Sequence, residues 1–258
     1  MSRMSGASPS GTSPNGASPS RTNPSRTGRE KLAAGLLAAF LLVTAVDLAG
    51  LLADSWGVHR AAKPLLMPLL AGYVAARGGP RLLIVALLFG WGGDIALLFD
   101  AEPAFMLGMG SFALGHVCYL FLFKGAPVRR PLGAVYALAL LATVALLWSD
   151  LPADLRIPVA GYSLLLTAMA FRASGLGVYA GVGGALFLLS DTLIATGVAQ
   201  WPQLPAPDFW VMATYAAAQC LLAVGVLGAG APAAGEGAAG ARRAGESSRA
   251  YGERRTAL

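Results

Sequence analysis

From Leu32 to Ala229 the chain is a succession of apolar blocks, most of them close to twenty residues long. A few polar residues, prolines or glycines separate each block from the next. About 20 apolar residues are what an α-helix needs to cross the hydrocarbon core of a bilayer. Composition agrees. Of 258 residues 56% are hydrophobic and 12% charged, about half the charge of an ordinary soluble domain. The expected fold class is all-α: a polytopic bundle of eight transmembrane helices at about 32–52, 62–77, 82–99, 104–124, 131–148, 155–172, 177–198 and 207–229. The connections are brief, so helices adjacent in sequence are expected to pack as antiparallel neighbours.

The ends differ in kind. Residues 1–31 are rich in Ser, Pro and Thr, and residues 230–258 in Ala, Gly and Arg. Neither carries an apolar face that would offset the entropy of ordering, so both are expected to be disordered tails flanking a membrane domain at 32–229. The N-terminal segment does not have the form of a secretory signal, because its apolar run starts near Leu32 and continues for a full span.

Charge orients the chain. Sixteen of the nineteen Lys and Arg lie in the two tails and in the second, fourth and sixth loops. The opposite side has only Arg60, Lys63 and Arg156, among Asp54, Asp100, Glu102, Asp150, Asp154 and Asp208. Excess Lys and Arg mark the cytoplasmic side, which places both termini there and makes this a multi-pass protein of the cell membrane. The net charge of +6 is explained by that topology, and no nucleic-acid partner is expected. Cys118 and Cys220 sit in apolar runs with no disulfide or metal-ligand spacing, and no metal or cofactor is expected. HExxH, GxSxG and Walker patterns are absent from the sequence.

Against that apolar background stands FGWGGDIALLFD, residues 89–100, with a carboxyl group at Asp94. A charged group at the bilayer centre costs about 2.5–3.5 kcal/mol on the insertion scale, so its retention asks for a function. Asp94 lies about 12 residues into the third span, roughly 18 Å from its cytoplasmic end. Asp191 lies about 14 residues into the seventh, roughly 21 Å from the same side. His116 and Tyr119 share a face of the fourth span, and Tyr215 and Gln219 a face of the eighth. Tyr162 is in the outer half of the sixth, Lys63 begins the second and Asp47 is near the outer end of the first. Their similar depths predict a common cavity in the middle-to-outer part of the bundle. Singly, each has an ordinary explanation: a paired structural carboxylate, a satisfied core histidine, packing tyrosines, an interfacial Asp47. The glycines Gly108, Gly110, Gly115, Gly181, Gly183 and Gly184 are expected at close helix contacts.

Five phrases carry a family resemblance: RAAKPLLMPLL (60–70), GWGGDIALLF (90–99), FMLGMGSFALGHVCYLFLF (105–123), GGALFLLSDTLIA (183–195) and YAAAQCLL (215–222). In this order and spacing the chain resembles the YhhN family of membrane lysoplasmalogenases. The resemblance implies an eight-helix hydrolase that cleaves the vinyl ether bond of an alkenyl lysophospholipid, releasing a fatty aldehyde and a glycerophospho-base. The family's two essential aspartates, in its GD and SD motifs, match Asp94 and Asp191, the latter preceded by Ser190. Its KP, FxxGxxxFxxxHxxY and YxxAQ elements match Lys63–Pro64, Phe105 to Tyr119, and Tyr215 to Gln219. Where the family often has a tyrosine pair before the Ala-Gln, this chain has Thr214–Tyr215.

The residue types suit that chemistry. A vinyl ether is hydrolysed by protonation of its β-carbon, which leaves an oxocarbenium ion. One neutral carboxyl to give the proton and one anionic carboxylate beside the cation are the needs that glycosidase carboxylate pairs also meet. Asp94 and Asp191 are the candidate catalytic pair. Lys63, His116, Tyr119, Tyr162, Ser190, Tyr215 and Gln219 are candidates for binding substrate or supporting the pair. The expected partner is a membrane lipid. The same buried acids would also serve a proton-coupled transporter, although no inverted repeat or paired broken helices are present, or a non-catalytic lipid-binding protein.

Overall fold

The computed structural model describes residues 24–230, and the segments expected as tails lie largely outside them. Eight α-helices make up the described chain: α1 (Pro24–Leu52), α2 (Trp56–Ala76), α3 (Arg81–Ala96), α4 (Glu102–Leu122), α5 (Arg130–Leu147), α6 (Ala153–Ala173), α7 (Val178–Val198) and α8 (Pro207–Ala229). A single 3₁₀ turn, Ser174–Leu176, joins α6 to α7. Among the described residues there is no strand.

Local chemistry explains most boundaries. α2 ends in a Schellman motif: the Gly79 N–H bonds the Val74 carbonyl at 2.9 Å and the Gly78 N–H that of Ala75 at 3.0 Å. Gly78 there takes φ +70°, a conformation glycine adopts without strain. Prolines open α4 and α8 within the first two positions, where a missing N–H costs nothing. Two boundaries depart from expectation. α1 begins at Pro24, inside the segment expected as tail. α2 begins at Trp56, six residues before the apolar block does, because His59, Arg60 and Lys63 dilute the apolar signal without breaking the helix.

The bundle is apolar outside, and its largely apolar core encloses a few polar groups. Large apolar side chains such as Leu42, Leu107, Phe121, Leu138 and Ile157 are exposed, whereas Asp47, His59, Lys63, Asp94, His116, Ser190 and Gln219 are buried. Six helices (α1 and α4 to α8) are long and apolar enough to cross a membrane. α3 has 16 residues and α2 carries the charges just named. The protein is a polytopic all-α membrane protein.

Packing couples α1 to α2, α2 to α3, α3 to α4, α4 to α6, α6 to α7 and α7 to α8, with α8 closing back onto α1 and α2. α5 stands apart. It leans on α6, touches α7 lightly and buries only Leu147. It makes no extended contact with α4, its neighbour in sequence, contrary to the antiparallel-neighbour expectation. The connecting segment after Leu122 is long enough for α6 to occupy that place. The C-terminal end of α5 is held by a small cluster of Leu147, Leu151 and Ala199 with Trp201 against it. The Trp201 indole N–H donates to Asp150 Oδ2 at 2.7 Å.

Glycines set the closest contacts. A Cβ on Gly184 would lie 2.8 Å from the Ala170 Cα of α6, and one on Gly183 would lie 2.9 Å from the Ala218 carbonyl of α8. Both neighbours are backbone and cannot yield. Gly110, by contrast, has nothing within 4 Å of such a Cβ, so it is not a packing position. Gly184→Ala is therefore expected to destabilise the detergent-solubilised protein by about 1–3 kcal/mol. Gly110→Ala should leave stability unchanged or raise it by up to about 1 kcal/mol through helix propensity. Paired thermal or denaturant unfolding curves check both.

Candidate active site

A cavity of about 340 Å³ lies among α3 to α8, with Lys63 of α2 reaching into it. Its polar lining includes Lys63, Asp94, Tyr162, Ser190, Asp191 and Tyr215, and most of the rest is apolar. Six of the nine residues expected at the site thus share one cavity. His116, Tyr119 and Gln219 do not line it. They stand behind the wall and bond to residues that do, directly or in series.

Each aspartate is held by a tyrosine from another helix. Tyr215 of α8 donates its hydroxyl to Asp94 Oδ2 at 2.8 Å. Tyr162 of α6 donates to Asp191 Oδ2. Behind Tyr215, the Gln219 amide approaches the phenol oxygen at 3.5 Å, and its carbonyl accepts from Tyr119 at 2.7 Å. Behind Tyr162, His116 Nε2 sits 3.0 Å from the phenol oxygen. A phenol has one hydrogen. With that hydrogen given to Asp191, the histidine donates from Nε2, and in a neutral imidazole Nδ1 is then an acceptor. Nδ1 is buried and has no hydrogen-bond partner. Ser190 turns away from Asp191 and donates to the Val211 carbonyl at 3.1 Å, tying α7 to α8 beside the carboxylate.

The Lys63 side chain is buried and lines the cavity. No ion pair within 4 Å and no side-chain hydrogen bond engages its ammonium among the described residues. Asp94 lies near enough for the two charges to interact without a direct ion pair, so the ammonium has donors left for a ligand in the cavity.

Aromatic packing holds these groups in register. Phe112, Phe187 and Tyr215 meet edge to face, with centroids 5.5–6.3 Å apart, and His116 stacks edge-on to Phe187 at 4.8 Å. The glycines of GWGGD make room for this cluster. A Cβ on Gly93 would fall 2.5 Å from the Phe112 ring, and one on Gly90 would fall 3.0 Å from the Gln219 amide nitrogen. The two glycines beside Asp94 thus bring α3 against α4 and α8.

One polar pair escaped the sequence reading. Asp47 is fully buried and accepts at 2.8 Å from His59 Nδ1 of α2. It is therefore enclosed between α1 and α2, and its second oxygen has no partner. The available signal was His59 one helical turn before Lys63, on the same face of α2. Neither member of the pair lines the cavity. Cys118 and Cys220 are free and half-buried.

The sequence profile of the YhhN family matches residues 58–226. The chain belongs to the YhhN family. The match runs from α2 to α8 and takes in every cavity residue, while Asp47 on α1 lies outside it. Human lysoplasmalogenase TMEM86B is 37% identical over 150 residues, which cover 58% of this chain and 65% of that one. The rat TMEM86B protein is 35% identical over 167 residues, 64% of this chain and 70% of the relative. A lysoplasmalogenase of Mycobacterium tuberculosis is 33% identical over 159 residues, 56% and 60% of the two chains. The matched region thus spans somewhat under two thirds of the length of several of these YhhN relatives. No solved structure matches the chain.

The Tyr119–Gln219 link makes a stability prediction. Gln219→Leu strands the buried Tyr119 hydroxyl and should cost about 1–3 kcal/mol. Adding Tyr119→Phe removes the stranded group and should recover much of that loss, a non-additivity that a double-mutant unfolding cycle measures.

Proposed function

We propose that this protein is an integral-membrane lysoplasmalogenase, hydrolysing the vinyl ether bond of an alkenyl lysophospholipid to a fatty aldehyde and a glycerophospho-base. The observation that carries the reading is the pair of carboxyl groups, Asp94 and Asp191, each bonded by a tyrosine and both facing one largely apolar cavity. The names of the YhhN relatives support it.

The neutral member of the pair protonates the β-carbon of the vinyl ether. The anionic member stands beside the resulting oxocarbenium ion and takes a proton from the attacking water. The hemiacetal collapses to aldehyde and alcohol, and protons given and taken balance over the cycle. Tyr162 and Tyr215 orient the carboxyl groups by hydrogen bonds from neighbouring helices. His116 and Gln219 act through those tyrosines, Tyr119 acts through Gln219, and Ser190 fixes the backbone beside Asp191. Desolvation is what lets a carboxyl group act as an acid in neutral surroundings.

The phosphate of the substrate is assigned to Lys63, whose ammonium lines the cavity and makes no ion pair within 4 Å among the described residues. The alkenyl chain lies along the apolar wall. It enters sideways from the bilayer between α4 and α5, which both line the cavity (Phe105 and Met109, Ala139 and Leu140) and make no extended contact with each other. All eight helices span the membrane in this reading, with both termini cytoplasmic and the protein in the cell membrane. The distribution of Lys and Arg supports that orientation.

Detergent-purified protein is expected to release fatty aldehyde from alkenyl lysophospholipids. Asp94→Asn and Asp191→Asn, folded by size-exclusion and melting criteria, should each lower kcat by about a hundredfold or more. Parent protein that is folded yet releases no aldehyde from choline or ethanolamine substrates would sink the assignment and favour a proton-coupled carrier. Lys63→Met should raise KM for phosphate-bearing substrate by about tenfold, read from initial rates at varied substrate in mixed micelles.

A further inference from the structure

α2 carries prolines at 64 and 68, four residues apart and both inside the helix. In an α-helix the carbonyl of residue i accepts from the N–H of residue i+4. Pro68 has no N–H, so the Pro64 carbonyl has lost its helical donor. In an apolar environment an unsatisfied backbone carbonyl is costly. The structure supplies a replacement from another helix: the Trp91 indole N–H of α3 donates to the Pro64 carbonyl at 2.8 Å.

The positions of the two partners give this bond more than a structural meaning. Pro64 follows Lys63, and Trp91 precedes Asp94 by three residues. Lys63 and Asp94 line the same cavity from different helices. One interhelical hydrogen bond therefore joins the backbone beside the cavity's lysine to the turn that bears one of its carboxyl groups. We propose that Trp91 is a positioning residue: its bond to the carbonyl orphaned by Pro68 clamps α2 to α3 and sets the Lys63 ammonium where it meets the phosphate of a lipid in the cavity. The inference rests on the reading of the cavity as a lysophospholipid site, with Lys63 as its phosphate contact.

The clamp differs from simple carbonyl satisfaction, and Pro68 separates the two. Pro68→Ala restores a helical N–H to the Pro64 carbonyl. A carbonyl has two lone pairs, so Trp91 keeps its bond in that variant. Trp91→Phe keeps the ring and deletes the donor.

The experiment measures dissociation constants of a non-hydrolysable saturated alkyl-ether lysophospholipid, and of the matching alkylglycerol without phosphate, alongside melting temperatures. It uses parent, Pro68→Ala, Trp91→Phe and the double variant. Pro68→Ala is expected to bind both lipids as the parent does. Trp91→Phe should melt lower and bind the phosphate-bearing lipid about tenfold more weakly, with alkylglycerol affinity unchanged. The double variant should regain the melting temperature but keep the weakened phosphate-lipid binding. If the single Trp91→Phe chain does not fold, the double variant carries the same affinity comparison.

Recovery of affinity together with stability in the double variant would overturn the clamp, leaving Trp91 only to satisfy a carbonyl. Equal weakening for both lipids, or none, would overturn it too. Parent protein that binds the ether lysophospholipid yet never releases aldehyde from alkenyl substrates would remove the enzymatic reading while leaving the clamp testable and intact. Parent protein that binds neither lipid would overturn both.

Discussion

A carboxyl group inside an apolar bundle must be given a hydrogen-bond donor, and an isolated helix cannot offer one from its own saturated backbone. The arrangement of this protein follows from meeting that need twice. Asp94 on α3 draws its donor from α8, and Asp191 on α7 draws its donor from α6. These two bonds fix which helices surround the cavity. The glycines beside Asp94, the ring cluster of Phe112, Phe187 and Tyr215, and the backbone contacts at Gly183 and Gly184 are the close packing that keeps the four helices near enough for the bonds to form. The few polar groups inside the apolar core are thus the organising element, and the apolar exterior suits a bilayer.

Much of this was legible in the sequence because a bilayer restricts what a chain can do. Apolar blocks of span length mean helices, and polar residues retained within them must face inward. Hence the helix order and the membership of the cavity (Lys63, Asp94, Tyr162, Ser190, Asp191 and Tyr215) could be read in advance. Helix rotation and lateral order could not, because both depend on side-chain fit among helices distant in sequence. That is why His116, Tyr119 and Gln219 turned out to stand behind the cavity wall, and why α6 displaced α5 from beside α4. Gly110 resembles Gly108 in sequence but faces open space, a distinction only rotation decides. The Asp47–His59 pair was obscured for another reason: the start of α2 is too polar to register as part of a span.

Trp91 occupies a middle ground. The loss of a donor at Pro68 follows from covalent chemistry alone, so a search for the orphaned Pro64 carbonyl's partner was possible from sequence. Which indole would answer was settled by the packing of α3 on α2. The residues that hold this site together are therefore of two kinds. Some, such as the aspartates, announce themselves by being out of place in an apolar run. Others, such as Trp91, look ordinary for a membrane interface and matter because of a deficit elsewhere.

The outboard position of α5 has a consequence for how the protein senses its surroundings. Protein holds this helix at its C-terminal end and along α6, and apart from its cavity face most of its surface is uncovered by other helices. A helix this lightly packed is the one whose tilt is expected to adjust most readily to bilayer thickness. Because Ala139, Leu140 and Thr143 of α5 form part of the cavity wall, a change in that tilt would change the shape of the cavity. The membrane is then at once the solvent for the fold and a component of one wall of the site.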